Sequence, residues 1–478
     1  MKNQKLKVKN QKRGYLLVQV LVLAAAGIVI VGGLIGWAGT SLKLSRYLAS
    51  REQAFQIAEA GVEYYRWHLA HAPIDWRDGQ ATTTGPYVHS YKDKDDNIIG
   101  QYSLIITPPV IGSTLVTISS EGTVFDGSGA KRTVESKMAI PSLAKYAVVA
   151  NAKMRFGEGT EVFGPIHSND GVRFDGVAHN IVTSAQASYD DPDHDDHNLE
   201  YGVHTHISPT DPRPPVAVPN RLDVFMAGRQ FPVPAVDFTG LTADLANLKT
   251  EANTVNGRYL ASSGSQGYHL VLKTNNTLDL YKVTSVYSPP SDCSNSTTGW
   301  GTWSIKNESL VANYPFPANG IIFVEDNVWV SGQINGARLT IASGRFPEST
   351  NTNTSITVNN DLKYTNYDGQ DVLGLIAQNN FNIGLYSEDN LQIDAALVAK
   401  NSRAGRFYYG SDCGIEYRRS KLTLFGMIAT NQRYGFAYTD GTGYALRQLN
   451  YDSNLLYGPP PSFPLTSDQY QIISWREK

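Results

Sequence analysis

Residues 14–42 carry no charged side chain, and no other feature constrains the fold of this chain as strongly. The stretch reads RGYLLVQVLVLAAAGIVIVGGLIGWAG from Arg13 to Gly39 and follows a basic leader, MKNQKLKVKNQK. As a helix, about 29 residues span about 43 Å at 1.5 Å per residue, more than the roughly 30 Å of bilayer hydrocarbon. A secretory signal has a shorter apolar region that ends at a small-x-small cleavage site. Here the helical period outlasts the apolar run. Ala54, Ile57, Ala58, Gly61, Val62, Tyr65 and Leu69 fall on one helical stripe, with Arg51, Glu52, Glu59, Glu63 and Arg66 around it. Pro73 is the stop signal. The pattern predicts a single helix of about 57 residues from Tyr15 to His71, membrane-spanning in its first half and amphipathic in its second. Six Lys and Arg residues precede Gly14, so the positive-inside rule keeps the N-terminus cytoplasmic and exports the bulk of the chain.

The leader ending in Gly14, the aromatic Tyr15, the apolar run and QAFQIAEAGVEYY at 53–65 together resemble the type IV prepilin family. AEAG (Ala58, Glu59, Ala60, Gly61) is the more specific element. The resemblance implies that a prepilin peptidase cuts between Gly14 and Tyr15 and methylates the new N-terminus. It also implies assembly with other pilin subunits through the helix, with Gln19 and Glu59 as assembly residues. A non-cleaved single-span anchor is the other reading. Major pilins carry Glu at the fifth mature position, where it neutralises a neighbour's terminal amine in a setting that penalises an unpaired charge. Counted from Tyr15, that position is Gln19, which hydrogen-bonds but supplies no counter-charge. Minor pilins lacking that Glu are placed at or near the filament tip. More than 400 exported residues suit a tip better than a packed shaft. The plainer alternative is a polar substitution in a helix that never polymerises.

Beyond residue 72 the chain turns to Gly, Tyr, Ser, Thr and Asn, a bias towards strands and turns. GQYSLIITPP, STLVTISSEGTV and AKRTVESKMAIP read as strands of a small antiparallel unit covering the amphipathic stripe. From residue 146 short strands broken by Gly or Asn take over. Apolar centres recur near residues 322, 341, 357, 376, 397 and 428. This spacing predicts a parallel β-solenoid, right-handed, with Asn380, Asn401 and Asn431 at equivalent corners. An immunoglobulin-like sandwich is the alternative, but would show cleaner alternation. The fold class is therefore mainly β. The expected order is a leader (1–14), the helix (15–72), a pilin-like β unit (73–141), first rungs (142–200), an insertion (201–317), and the remaining solenoid with a C-terminal segment (318–478). The insertion is Pro-rich at 208–219 and contains an expected helix at 241–252. IIFVEDNVWVSG, LTIAS, DVLGLIAQNN and the final YDSNLLYGPPPSFPLTSDQYQIISWRE resemble an uncharacterised domain of bacterial prepilin-like exported proteins, which has no established activity.

The sharpest chemical constellation is YDDPDHDDHNLEYGVHTHIS. His204 and His206 are two apart and share a face in a strand, so both reach one ion, with Asp191, Asp193, His194 or His197 completing the set. Zinc suits the imidazoles, and calcium suits the carboxylates. A solvated acidic loop beside two strand histidines, or a catalytic metal, are the other readings. The offsets fit neither an EF-hand nor HExxH. Cys293 and Cys413 are the only cysteines and either pair in an oxidising compartment or stay as thiols. No G-x-S-x-G and no phosphate-cradling loop occurs. Asp371, Asp389, Asp394 and Arg403 are the residues available to a glycan-active enzyme. Trp300, Trp303, Tyr408, Tyr409, Tyr434, Tyr438 and Tyr444 are the aromatics available for stacking on a sugar or a protein, or for packing in the core. A net charge of −3 gives no field that recruits nucleic acid. The sequence thus describes a non-enzymatic minor-pilin-like surface protein of the bacterial cytoplasmic membrane, single-pass, with its head displayed at the cell surface or pilus. Its expected partners are pilin subunits, prepilin peptidase, the membrane and a glycan or cell-surface receptor. The alternative is a membrane-anchored exported glycan-active enzyme on a β-helix.

Overall fold

The computed structural model describes residues 13–82, 84–194, 197–238 and 245–478. Residues 1–12 of the expected leader, and 241–244 of the expected second helix, lie outside them. The chain divides into two compact units. The first takes the described residues up to Pro108, Val116–Met138 and Ile472–Lys478; the second takes Pro109–Leu115 and Ala139–Gln471.

The first unit is one helix on one sheet. Helix α1, Arg13–His71, runs unbroken for 59 residues. It is the one helix among the described residues long and apolar enough, by length and composition, to cross a membrane. Ala54, Ile57, Ala58, Val62, Tyr65 and Leu69 are all buried, so the 3.6-residue stripe read from the sequence is the face that packs. It is covered by strands β1 (Tyr87–Lys92), β2 (Ile98–Thr107), β3 (Val116–Val124) and β4 (Lys131–Ala139), paired antiparallel in that order. Burial alternates residue by residue along β3, as expected of a sheet with one covered face. Contact is close because both sides are small. A β-carbon built on Gly122 would fall on the Ala54 carbonyl oxygen and the Ala58 nitrogen, and one on Gly61 on Ser120 Oγ and the Tyr102 ring.

A fifth strand, Gln471–Glu477, lies beside β4. The sequence grouped this segment with residues 318–478, but its exposed, weakly patterned side chains give no face to read. Charge holds it: Glu135 accepts hydrogen bonds from Arg476 (Nε 2.9 Å) and from Lys478. Lys478 first, and then Arg476, hold the Glu135 carboxyl below its usual range. A carboxyl depressed in the fold contributes stability that is complete above its unfolded value of 4.5 and is lost as pH falls through the folded value. The amides of Gln471–Glu477 are therefore expected to lose hydrogen-exchange protection in acid, and Glu135→Gln to abolish that pH dependence. Protection unchanged between neutral and acidic pH would contradict the assignment.

The second unit is built on parallel ladders. In the first, ten strands stack in the order Arg258–Leu260, Ile321–Val324, Arg338–Ser343, Val372–Ala377, Asn390–Ala399, Arg418–Thr430, Val148–Ala150, Ile166–Ser168, Val182–Ser184 and Arg229–Gln230. Stack order is not chain order. Residues 148–184 continue the stack beyond Ile428–Thr430, and 201–317, read as an insertion, supplies the strands at both ends. A second ladder runs through Tyr268, Val328, Ile356, Phe381 and Ala404. A third runs through Leu362, Ile393, Leu424, Leu449, Val162 and Ala178. Their inward residues, with Ile322, Ile341, Leu375, Leu397, Ile428, Val148, Ile166 and Val182 of the first ladder, form one core. An antiparallel meander, Gly267–Lys273, Thr277–Val286 and Ile305–Pro315, is appended.

The first ladder is apolar on both faces. Its outward row Phe323, Ala342, Ile376, Val398, Ala429 and Val149 packs against Leu245, Leu248 and Ala252 of helix α2 (Leu245–Ala252), and against Leu143, Leu455 and Phe463. Burial on both faces makes the strands read as runs rather than alternations. The expected asparagine corners are corrected by the register. Ala377, Ala399 and Thr430 align, so Asn380, Asn401 and Asn431 sit three, two and one residues beyond equivalent positions. The asparagine ladder that exists joins Asn431, Asn151 and Asn169 through side-chain hydrogen bonds of 2.9 Å.

Candidate metal-binding cluster and adjoining cleft

Parallel pairing sets the cluster. Val203–His204 pairs with Val172–Phe174, which pairs with Met154–Phe156, so His204, Arg173 and Arg155 are register partners. Beyond the strand the chain is fixed by carboxylates. The Asp211 carboxylate accepts the Thr205 N–H at 2.9 Å, and Asp175 accepts the His206 N–H at 2.8 Å. His206 thus stays beside His204, with ring centroids 5.1 Å apart, although the strand ends at His204. Asp191 reaches the same point: its Oδ2 is 3.4 Å from His204 Nε2. One ligand atom from each of Asp191, His204 and His206 lies within 4.8 Å of the others. His204 is fully buried and Asp191 is 2% exposed. Burial pushes the Asp191 carboxyl up, but His204, the Asp193 backbone N–H and Arg173 outweigh it and hold the group below its usual range. Burial, with Arg173 and the neighbouring rings, lowers His206 to about 4.

His194 joins this group through His206, Nε2 to Nδ1 at 3.1 Å. Asp193 and His197 do not. Asp193 pairs with Arg433 (2.6 Å) and Arg155 (3.2 Å), and the exposed His197 faces Asp190 at 3.2 Å. Asp195 and Asp196 lie outside the described residues. The sequence reading missed Arg173 and Arg213. Arg173 Nη1 lies 3.5 Å from Asp191, and Arg213 Nη2 lies 3.1 Å from His194 Nδ1. Only the strand register brings Arg173 to His204, so composition and spacing carried no signal of it.

His206 also lines a cleft of about 880 Å³, walled by Arg155, Arg173, Arg403, Arg433 and Arg447. Two of its carboxylates are tied to arginines: Asp175 to Arg173 at 2.7 Å, and Asp193 to Arg433. Of the aromatics, Tyr409, Tyr434 and Tyr444 are buried core residues and offer no stacking surface. Trp300 and Trp303 pack on a cluster holding Cys293 and Cys413, which form a disulfide with Cα atoms 4.6 Å apart. Tyr408 remains exposed, with its hydroxyl donating to Asp440 at 2.8 Å.

The carboxylates considered for glycan chemistry act as backbone caps. Asp371 accepts from the N–H groups of Ala337, Thr365 and Asn366. Asp389 accepts from Ser420 at 2.9 Å. Asp394 accepts from the Tyr364 N–H and the Tyr367 hydroxyl, and burial raises its pKa. On α1, Tyr15 and Gln19 are exposed and Glu59 is half-buried, and Gly14 lies in the first turn.

No protein-family model matches the chain, and no curated protein matches it. Among solved structures, the competence-associated pilin ComZ from Thermus thermophilus aligns over 90% of this chain and 97% of that one, at 14% identity and a TM-score of 0.30.

Proposed function

We propose that the chain is a pilin-like, membrane-anchored surface protein that displays a β head for contact with a partner. The two-part helix carries this reading. Residues 15–39 of α1 are almost wholly solvent-exposed and, apart from Gln19, apolar, whereas the stripe from Ala54 to Leu69 is buried on its own sheet. An exposed apolar face of that length needs lipid or other apolar helices around it. Removal of the leader after Gly14 leaves a helix able to pack among pilin subunits. Gln19, lacking a charge to offer a neighbour's amine, favours a tip position. The three ladders are read as a parallel β-solenoid, right-handed by the general handedness of parallel crossovers. Adhesion to a glycan or receptor is the role proposed for this head. An anchored glycan-active enzyme requires carboxylates that converge on substrate. Here Asp371, Asp389 and Asp394 cap backbone, and the cleft acids Asp175 and Asp193 are tied to arginines, which favours recognition. The test is intact-mass and N-terminal analysis of the full chain made with and without a prepilin peptidase. The expected product begins at Tyr15 only when the peptidase is present; the uncut chain in both would sink the pilin-like reading.

A further inference from the structure

Within the histidine cluster, ligand atoms of Asp191, His204 and His206 gather within 4.8 Å of one another. His204 Nδ1 lies 3.3 Å from the Tyr201 carbonyl oxygen and donates to it, so in the neutral ring Nε2 is an acceptor. That Nε2 faces Asp191 Oδ2, another acceptor, at 3.4 Å. Neither atom has a hydrogen-bond partner, and His206 Nε2 has none either. Two buried ring nitrogens without a hydrogen bond, beside a carboxylate oxygen met only by Arg173 at 3.5 Å, are costly unless a further cation joins them.

We propose that Asp191, His204 and His206 form a binding site for one zinc ion. Two imidazoles and one carboxylate are a donor set that favours zinc over calcium, which takes six to eight oxygens. The Tyr201 carbonyl is the outer-shell acceptor that fixes the tautomer of a ligating histidine. Coordination through His206 Nε2 leaves that ring's proton on Nδ1, from which it donates to His194 Nε2. The proton of His194 then lies on Nδ1, 3.6 Å from Glu200 Oε1, which requires Arg213 Nη2, now donating to that nitrogen at 3.1 Å, to turn away. His194, Glu200 and His206 form a second possible triad, but a guanidinium already fills it. Arg213 Nε donates to Glu200 at 2.5 Å, and its Nη2 lies 3.1 Å from His194. Arg173 Nη1 is the cation nearest the proposed site, 3.5 Å from Asp191, and its Nε is engaged by Asp175. Of the three, His206 alone also lines the cleft.

The test uses detergent-solubilised full-length protein, stripped with a chelator and equilibrated with Zn²⁺ or Ca²⁺ before elemental counting. One zinc per chain and no calcium is expected. Asp191→Asn and His204→Gln each lower zinc affinity at least tenfold, whereas His197→Gln leaves it unchanged. Where a variant does not fold, the visible spectrum of the Co²⁺-loaded wild-type chain decides, since four-coordinate cobalt on imidazole gives intense d–d bands. Absence of those bands, no retained zinc, or zinc retained equally by Asp191→Asn and His204→Gln would overturn the proposal, leaving an imidazolium–carboxylate pair.

Discussion

Replacing Gly122 with valine is expected to unseat α1 from its sheet and destabilise the first unit by about 3 kcal/mol or more. A β-carbon at 122 meets helix backbone, the Ala54 carbonyl oxygen and the Ala58 nitrogen, rather than a side chain that can swing aside. Valine adds two further methyl groups at the same point. Relief requires the helix to lift from β3, and lifting it opens the contacts of Ile57, Val62 and Tyr65 together. Thr123→Val, one residue along on the other face of β3, is the control and should stay within about 0.5 kcal/mol of the parent. Hydrogen exchange reads the outcome, with protection lost across β2, β3 and the second half of α1. Equal exchange in the two variants would mean that the close approach is not what holds the helix.

That contact also gives part of the AEAG resemblance a physical meaning. Ala58 and Gly61 are small because the helix backbone rests on the sheet there, with Gly122 small in reply. The stripe was legible in the sequence because a period of 3.6 on a half-buried helix exposes its own geometry. The ladder register was legible only to within a residue. The apolar centres expected at 376 and 397 are one residue out of register, Ile376 pairing with Val398, since strands buried on both faces carry no inside–outside signal. Core packing was one of the two readings open for Tyr409, Tyr434 and Tyr444, and all three are buried, whereas the return of the C-terminal strand to β4 left no signal because its side chains are mostly exposed. The cluster was legible in part. His204 and His206 follow from spacing, and Asp191 is nearby in the chain. Asp193 left the set because Arg155 and Arg433 draw it away, the latter 240 residues distant in sequence. Stack order departs from chain order throughout this unit, so no sequence window contains these neighbours.

That non-local order gives the Cys293–Cys413 bridge its expected effect. The bridge closes a loop of 120 residues that includes the ladder strands from Ile321 to Ala399. Chain-entropy reasoning puts the unfolded-state cost of such a loop at about 4–5 kcal/mol. The folded segment around Cys293 has other anchors: Leu385 N–H donates to the Thr302 carbonyl at 2.8 Å, Tyr409 donates to Gly301 at 2.8 Å, and Trp329 donates to Trp303 at 2.9 Å. Removing the bridge should therefore leave the native contacts in place and act through the unfolded chain. The double variant Cys293→Ser, Cys413→Ser is expected to fold, with its denaturation midpoint lowered by an amount equivalent to about 4–5 kcal/mol. The parent should fall to the same midpoint under reductant, while the variant does not respond. A parent that titrates two free thiols after isolation from an oxidising compartment would refute the pairing. An unchanged midpoint in the double variant would show instead that the denatured chain is already closed by residual structure.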